Sequence, residues 1–200
     1  MNQDAARDDI AFIRRTLEQG RRVAGAWSPD MLMWGIAIAI GYFATYARVR
    51  GYWTSDPKWV WLACILLPWA YTLRRLPTWL FGREPDALAE RRFTSPLSML
   101  WLACGIFSTI LGLAVIASGE PNTWWINAVV AGVMGIGFFV SAFLCGLAWM
   151  RWVALAWWVG EVALFALRQR PEGLLLTGAL MLALLAIPGF VLTRGRRECA

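Results

Sequence analysis

Histidine is absent from the chain, and Lys58 is its only lysine. Imidazole serves as the base of Ser-His hydrolases and as a ligand in zinc enzymes and b-type haem proteins, so these classes are disfavoured. The four cysteines form no C-x-x-C pair, so the sequence indicates neither a zinc site nor a disulfide framework. We therefore expect a non-enzymatic protein that holds no metal and no cofactor.

Charge is also scarce, and it is bunched between long apolar runs. Charged residues make up 16% of the chain, hydrophobic residues make up 59%, and the mean hydropathy is +0.53. Apolar stretches close to the roughly 20 residues that cross a bilayer lie at about 30–48, 58–73, 97–118, 123–148, 152–167 and 174–193. The sequence therefore predicts an all-α, polytopic bundle of six transmembrane helices, with residues 30–193 as one transmembrane domain.

Local signals predict the helix boundaries. Proline and small polar residues precede the first three spans, as they do at helix starts: Ser28-Pro29-Asp30, Ser55-Asp56-Pro57 and Ser95-Pro96. Residues 1–29 are polar and lack the apolar core of a signal peptide. We expect them to form a cytoplasmic segment with a short amphipathic helix, and we expect residues 194–200 to form a cytoplasmic tail.

The basic residues predict the orientation, because Lys and Arg are retained on the cytoplasmic side of short loops. With the N-terminus inside, most of the nineteen basic residues lie on that side, so both termini are expected in the cytoplasm. Tryptophans near the span ends, among them Trp27, are typical of an aromatic belt. Arginine in place of lysine is typical of GC-rich bacterial genomes and favours a bacterial inner membrane. The net charge of +6 belongs to this topology and does not indicate a nucleic-acid site.

Glu161 is the only ionisable residue deep inside a predicted span, and no basic residue lies at a comparable depth. Two interpretations stay open. A carboxyl near the bilayer centre could load and release a proton during transport. Alternatively, a protonated carboxyl could donate a hydrogen bond to a neighbouring helix and join the bundle or an oligomer. The candidate partners for that bond are Ser108, Thr109, Asn127 and Ser141.

Small residues recur about four apart in the first and fourth predicted spans. This spacing lets helix backbones approach closely, so the sequence predicts packing seams, and the same faces could alternatively line a binding site. A local similarity between the two spans also suggests an inverted repeat of three helices, a plan found in secondary transporters. The predicted helix-packing residues are Gly35, Gly41, Gly132, Gly135, Gly137 and Ser141.

The N-terminal segment combines an apolar stripe with arginines. Ile10, Ile13 and Leu17 lie on one face of a predicted helix. Arginines beside that stripe could bind anionic head groups on the inner leaflet or dock on a cytoplasmic protein partner. The arginines assigned to this surface are Arg14, Arg15, Arg21 and Arg22.

The stretch Asp9-Ile10-Ala11-Phe12-Ile13-Arg14-Arg15-Thr16-Leu17-Glu18 is followed by a glycine- and aromatic-rich span. This opening resembles that of a group of uncharacterised bacterial six-helix inner-membrane proteins of about this length. The resemblance implies a multi-pass membrane protein of the kind that is often encoded near regulators or transporters. It implies no assigned activity.

The sequence as a whole favours a non-enzymatic accessory, scaffolding or regulatory component of a larger membrane assembly. Such a component would contact the lipid bilayer and either a protein partner or a second copy of itself, and it would not bind nucleic acid. The alternative function is a small proton-coupled transporter that uses Glu161. The accessory hypothesis predicts that Glu161→Gln is tolerated, whereas the transport hypothesis predicts that it abolishes pH-dependent ligand movement.

Overall fold

A computed structural model describes the backbone of residues 3–74, 96–119 and 124–198 and the side chains of residues 25, 27–74, 96–119 and 125–194. These ranges form helices and connecting turns and contain no β-strand. The helices are α1 (Gln3–Val49), α2 (Lys58–Arg74), α3 (Pro96–Ser118), α4 (Trp124–Cys145), α5 (Trp149–Ala166), α6 (Glu172–Met181) and α7 (Ile187–Glu198). A π-helical turn at Leu182–Ala186 joins α6 to α7, and the three together form the C-terminal rod.

Within the described ranges, four helical segments are long and apolar enough to cross a membrane, namely Trp27–Val49, Pro96–Ser118, Trp125–Cys145 and Glu172–Arg194. The predicted class, a helical membrane protein, is confirmed. These segments correspond to the first, third, fourth and sixth predicted spans. α2 is shorter, with 17 residues, and α5 is less apolar, because its 18 residues include Arg151 and Glu161. Both helices belong to the same bundle, with α2 packed on α1 and α5 on α4.

The predicted helix start at Pro29 is wrong, since α1 runs from Gln3 to Val49 without a break. Proline usually interrupts a helix because it has no N–H for the carbonyl four residues before it. Here that carbonyl belongs to Gly25, and the Ser28 hydroxyl donates to it at 2.7 Å. A side-chain hydrogen bond therefore replaces the lost backbone bond. The predicted N-terminal helix and the first span form one rod as a result.

The other two predicted helix starts agree with the structure. α2 begins at Lys58, directly after Pro57, and α3 begins at Pro96. Before α2, the Asp56 carboxylate accepts the backbone N–H of Lys58 at 2.9 Å. This bond and the one from the Lys58 side chain hold the pKa of Asp56 below its ordinary value, in a loop outside the membrane-spanning segments.

Glycines in the left-handed backbone conformation follow α1 and α4, where Gly51 has φ +77° and Gly146 has φ +62°. After α4, the Leu147 N–H donates to Ala142 O at 3.1 Å, as in a Schellman motif. A residue with a Cβ would be strained at such a position, which explains why glycine ends the helix there. The motif ends α4 at Cys145 rather than at the predicted 148 and turns the chain so that α5 packs back along α4.

The C-terminal rod approaches α1 closely through two glycines. A Cβ built at Gly35 would lie 2.7 Å from the backbone nitrogen of Ala186, and a Cβ built at Gly189 would lie 2.7 Å from a backbone nitrogen of α1. Ala186 belongs to the π-helical turn, and Pro188 follows that turn with no N–H to continue a regular hydrogen-bond pattern. Side chains larger than hydrogen would force the two backbones apart at both contacts.

The buried core lies between α1, α4, α5 and the C-terminal rod. Trp157, Phe138 and Met150 are its largest fully buried hydrophobic side chains, and α4 and α5 form the most extensive helix pair. α3 differs, because only 6% of its apolar segment is buried inside the protein. α3 is therefore a loosely packed wall, and the space between it and α1 contains the candidate site.

Candidate functional site

A partly open cavity of about 460 Å³ lies mainly between α1, α2, α3 and α4 and extends to the C-terminal rod. Its wall on α1 is a stripe at helical spacing from Trp27 to Val49, and 22 residue steps at about 1.5 Å each span roughly 33 Å. The cavity therefore follows the transmembrane part of α1 from end to end. Asp30 lies at one end, and Arg170, in the turn between α5 and α6, lies at the other.

Among the described residues, five tryptophans line this cavity, and each donates its indole N–H to a serine or threonine hydroxyl on another helix. The bonds join α1 to α2 and α3, α2 to α3, and α3 to α4. Because the N–H groups are used in this way, the tryptophans present the carbon surface of their rings to the cavity. The pairs are Trp27–Ser98 at 2.9 Å, Trp34–Thr72 at 3.4 Å, Trp61–Thr45 at 2.9 Å, Trp69–Thr109 at 2.9 Å and Trp101–Ser141 at 3.1 Å.

Asp30 supplies a carboxyl at one end of the cavity. Asp30 is only 4% exposed, and its Oδ1 accepts a hydrogen bond from the Thr72 hydroxyl at 3.0 Å. Thr72 also accepts the Trp34 indole N–H, and Trp34 meets Trp69 edge-on, with ring centroids 5.7 Å apart. The carboxyl, the hydroxyl and the two indoles therefore form one cluster, which we call the Asp30 cluster.

Polar groups are sparse along the rest of the cavity. The Tyr42 hydroxyl donates to the Asn127 side-chain carbonyl at 2.9 Å, and both residues are buried. Ser108 also lines the cavity, but its hydroxyl oxygen is buried and has no hydrogen-bond partner among the described residues. A buried hydroxyl without a partner is costly.

The opposite end of the cavity carries positive charge and an unusual backbone conformation. Arg170 is exposed, and Gln169 beside it has φ +67°, which costs free energy for a residue other than glycine. Arg50 lies on the same side of the bundle, hydrogen-bonded to Tyr46 and paired with Glu172. The bond to the Tyr46 hydroxyl and then the attraction of Glu172 raise the pKa of Arg50 above its ordinary value.

Glu161 lies away from this cavity. It faces Gly132 across the α4–α5 contact, where a Cβ built at Gly132 would be 3.2 Å from the Glu161 carboxyl, and it does not line the cavity. The described residues offer it no hydrogen bond or ion pair. The residues that were predicted to hydrogen-bond with Glu161 instead bond to other residues or line the cavity. They are Ser108, Thr109, Asn127 and Ser141.

The predicted helix-packing residues lie at contacts between helices, and each faces a different neighbour. The small residues of α1 pack against α2 and the C-terminal rod, whereas those of α4 pack against α3 and α5. Gly35 faces Ala186, Gly41 faces Trp61, Gly132 faces Glu161, Gly135 faces the Trp158 indole, Gly137 faces Trp101, and Ser141 is buried and bonded to Trp101.

For the predicted surface arginines, the structure describes the backbone alone. Arg14, Arg15, Arg21 and Arg22 lie within α1, and their side chains lie outside the described residues. The basic segment 75–95 between α2 and α3 also lies outside them.

Sequence reasoning missed Asp30, because Ser28-Pro29-Asp30 was interpreted as a helix start. It also assigned Trp27 to an interfacial belt, whereas Trp27 is 7% exposed and bonded inside the bundle. A usable signal was present in the spacing, since Trp27, Asp30 and Trp34 share one face once α1 is taken as a continuous helix.

The chemistry of the cavity suits non-covalent binding. It offers a carboxyl, a few hydroxyls, two side-chain amides, a guanidinium and aromatic surface, and the described residues hold no group of three His, Cys, Asp or Glu side chains that could ligate a metal ion. Comparison of the chain with protein-family models, curated proteins and solved structures found no match. The function is therefore argued from the cavity.

The Trp101–Ser141 bond provides a test of the indole–hydroxyl pairs. Ser141→Ala should destabilise the protein because it leaves the Trp101 indole N–H unpaired. When Trp101 has already been replaced by phenylalanine, the same Ser141→Ala substitution should destabilise the protein less. A double-mutant cycle on reversible unfolding in mixed micelles should give a coupling free energy of roughly 0.6–1.7 kcal/mol. Trp152→Phe, at a ring that is 73% exposed, serves as the control and should leave stability unchanged. A coupling of zero would contradict a structural role for the bond.

Proposed function

We propose that this membrane protein binds a small, largely apolar molecule inside its helical bundle. The cavity is the observation that carries the proposal. Its volume of about 460 Å³ falls within the roughly 300–1,000 Å³ of typical small-molecule sites, which are mostly apolar and contain a few placed polar groups.

Two glycines on α3 allow the cavity to be filled without disturbing the backbone. Gly105 and Gly112 line it, and a Cβ built at either position meets no atom within 4 Å. The double substitution Gly105→Leu and Gly112→Leu should therefore occupy the cavity while leaving the helices in place. Ala114→Leu is the matched control, because Ala114 is exposed on the same helix and does not line the cavity.

The test is equilibrium binding of tritiated decyldimethylamine oxide, which has no net charge at pH 8, to the protein in phosphatidylcholine nanodiscs, with empty nanodiscs subtracted. We expect saturable binding to the wild-type protein, at least a tenfold loss of affinity in the double variant, and a change of less than about twofold in Ala114→Leu. Absence of saturable binding to the wild type, or unchanged binding in the double variant, would refute the proposal.

We also propose that all six helical rods cross a bacterial inner membrane and that both termini are cytoplasmic. The distribution of arginines supports this orientation, and the packing of α2 and α5 within the bundle supports their insertion. Single cysteines placed at Thr54 and Ala148, both exposed, in a background without native cysteines would test it. An impermeant maleimide should label Thr54→Cys in intact cells and Ala148→Cys only after permeabilisation. Labelling of Ala148→Cys in intact cells would show that the topology is wrong.

A second candidate function is that of an accessory component that packs against another membrane protein or a second copy of itself. One observation favours it: α3 combines a mean hydropathy of 2.2 with little burial and exposes Ile106, Ile110 and Leu113 on one face. In a bilayer this face contacts either lipid or a partner helix.

A photo-crosslinking residue at Ile110 would distinguish these two environments in native membranes. The accessory function predicts one cross-linked product of fixed stoichiometry from that position. The matched control is Val159 on α5, which is 69% exposed and should give only lipid adducts. Lipid adducts alone from both positions would count against a partner on α3.

A further inference from the structure

We infer that two copies of this chain associate through one lipid-facing side of the bundle, and that the Trp158 indole of each copy donates a hydrogen bond to the Glu161 carboxyl of the other. The inference concerns a different surface from the cavity and does not depend on its occupancy. We call this surface the α4–α5 face. It consists of Gly132, Ile136, Phe139 and Phe143 on α4 and of Trp158 and Glu161 on α5.

Two polar groups on this face lack a partner within the described part of the chain. Trp158 and Glu161 are half-buried, and the described residues provide no hydrogen bond to the Trp158 N–H or to the Glu161 carboxyl. Both side chains lie against α4, where a Cβ built at Gly132 would be 3.2 Å from a carboxyl oxygen of Glu161. Gly132 follows the first residue of α4, Trp124, at a distance of about 12 Å along the helix. Both groups therefore lie at the depth of an apolar membrane-spanning segment.

Lipid is a poor environment for these two groups. Hydrocarbon tails offer neither a donor nor an acceptor, so an unpaired indole N–H or carboxyl costs free energy there. Ionisable residues within membrane spans accordingly pair with other polar groups. A partner from outside the chain would remove that cost for Trp158 and Glu161.

A second copy of the chain supplies the matching groups. Trp158 donates and Glu161 accepts, and they lie on the same side of α5, about 4.5 Å apart along its axis. An interface with two-fold symmetry uses the same patch of both copies, so each donor can meet the acceptor of the other copy. One such dimer satisfies all of these groups with two equivalent bonds. A different partner would have to present its own acceptor and donor at this spacing.

The rest of the face is exposed and aromatic. Ile136 is 52% exposed and Phe143 is 56% exposed. The centroid of the Phe139 ring lies 5.1 Å from that of Phe143 and 5.5 Å from that of Trp158, so the three rings form a continuous surface. Aromatic side chains are enriched in the cores of protein interfaces, and side chains already held by their neighbours lose less freedom on binding. This surface therefore suits contact with another protein chain.

The experiment measures self-association by energy transfer between fluorophores on Thr54→Cys, in a background without native cysteines, as the protein is diluted in phosphatidylcholine liposomes. We expect a dimer, and we expect Trp158→Phe and Glu161→Met each to weaken dimerisation at least about fivefold, because either change removes both bonds. Glu161→Gln keeps an acceptor oxygen and should change dimerisation by less than about twofold. A monomer at every dilution, or a dimer that neither Trp158→Phe nor Glu161→Met weakens, would overturn the inference.

Two further variants separate the proposed bond from general effects of substitution. The double variant of Trp158→Phe and Glu161→Met should dimerise within about twofold of the weaker single variant, because both changes remove the same bonds. Losses that add in full would contradict the pairing. Trp152→Phe is the matched control, because it makes the same change at a ring that is 73% exposed on the opposite side of α5 from Glu161. It should keep wild-type dimerisation, and a loss there would count against the α4–α5 face.

Photo-crosslinking tests the face without removing either polar group. A photo-reactive residue at Ile136 should give a cross-linked dimer in native membranes. The control position is Val159, which lies on the far side of α5 from Glu161 and should give lipid adducts. Lipid adducts alone from Ile136, or a product with a different protein, would overturn the inference even if the substituted variants do not fold.

Discussion

Indole-to-hydroxyl hydrogen bonds between helices are the interaction on which this bundle depends. In a bilayer, apolar side chains gain little by leaving lipid for protein, so helices associate through packing and through polar bonds. A buried indole N–H without a partner, such as that of Trp157, is costly, because no water is available in the hydrocarbon region. The Trp–Ser and Trp–Thr pairs meet both requirements, and they connect the first four helices to one another.

The same bonds explain why a cavity lies beside some helices of the bundle, whereas α1 and the C-terminal rod pack closely. An indole is wide, so a tryptophan that reaches a hydroxyl on the next helix keeps the two backbones apart. Trp61 and Trp101 lie against glycines of the neighbouring helix, whereas Gly35 and Gly189 meet backbone atoms, so that α1 and the C-terminal rod approach closely. The cavity accordingly lies mainly among α1, α2, α3 and α4, with Met181 and Leu185 of the C-terminal rod also lining it, whereas α1 and the rod are in close contact at Gly35 and Gly189.

Much of the helical architecture could be predicted from the sequence, because apolar length and proline position are local properties. The starts of α2 and α3 were predicted correctly for that reason, whereas Pro29 misled, since the Ser28 side chain compensates for the bond that proline removes. The site was harder to predict. Glu161 stood out by its depth in an apolar run, but the structure places it against Gly132, while Asp30, near a predicted span end, lines the cavity. The depth of a residue within a span can be predicted from the sequence. What the residue's side of the helix faces depends on how the other helices pack around it.

The unbroken course of α1 has a mechanical consequence. At about 1.5 Å per residue, residues 3–26 extend roughly 36 Å beyond the span that begins at Trp27. Pro29 lies just inside the junction, next to Asp30 and to the contact that Gly189 makes with α1. A tilt of the N-terminal arm, residues 3–26, by about 10° at this junction would displace the far end of the arm by roughly 6 Å. The N-terminal arm and one wall of the cavity therefore belong to the same continuous helix.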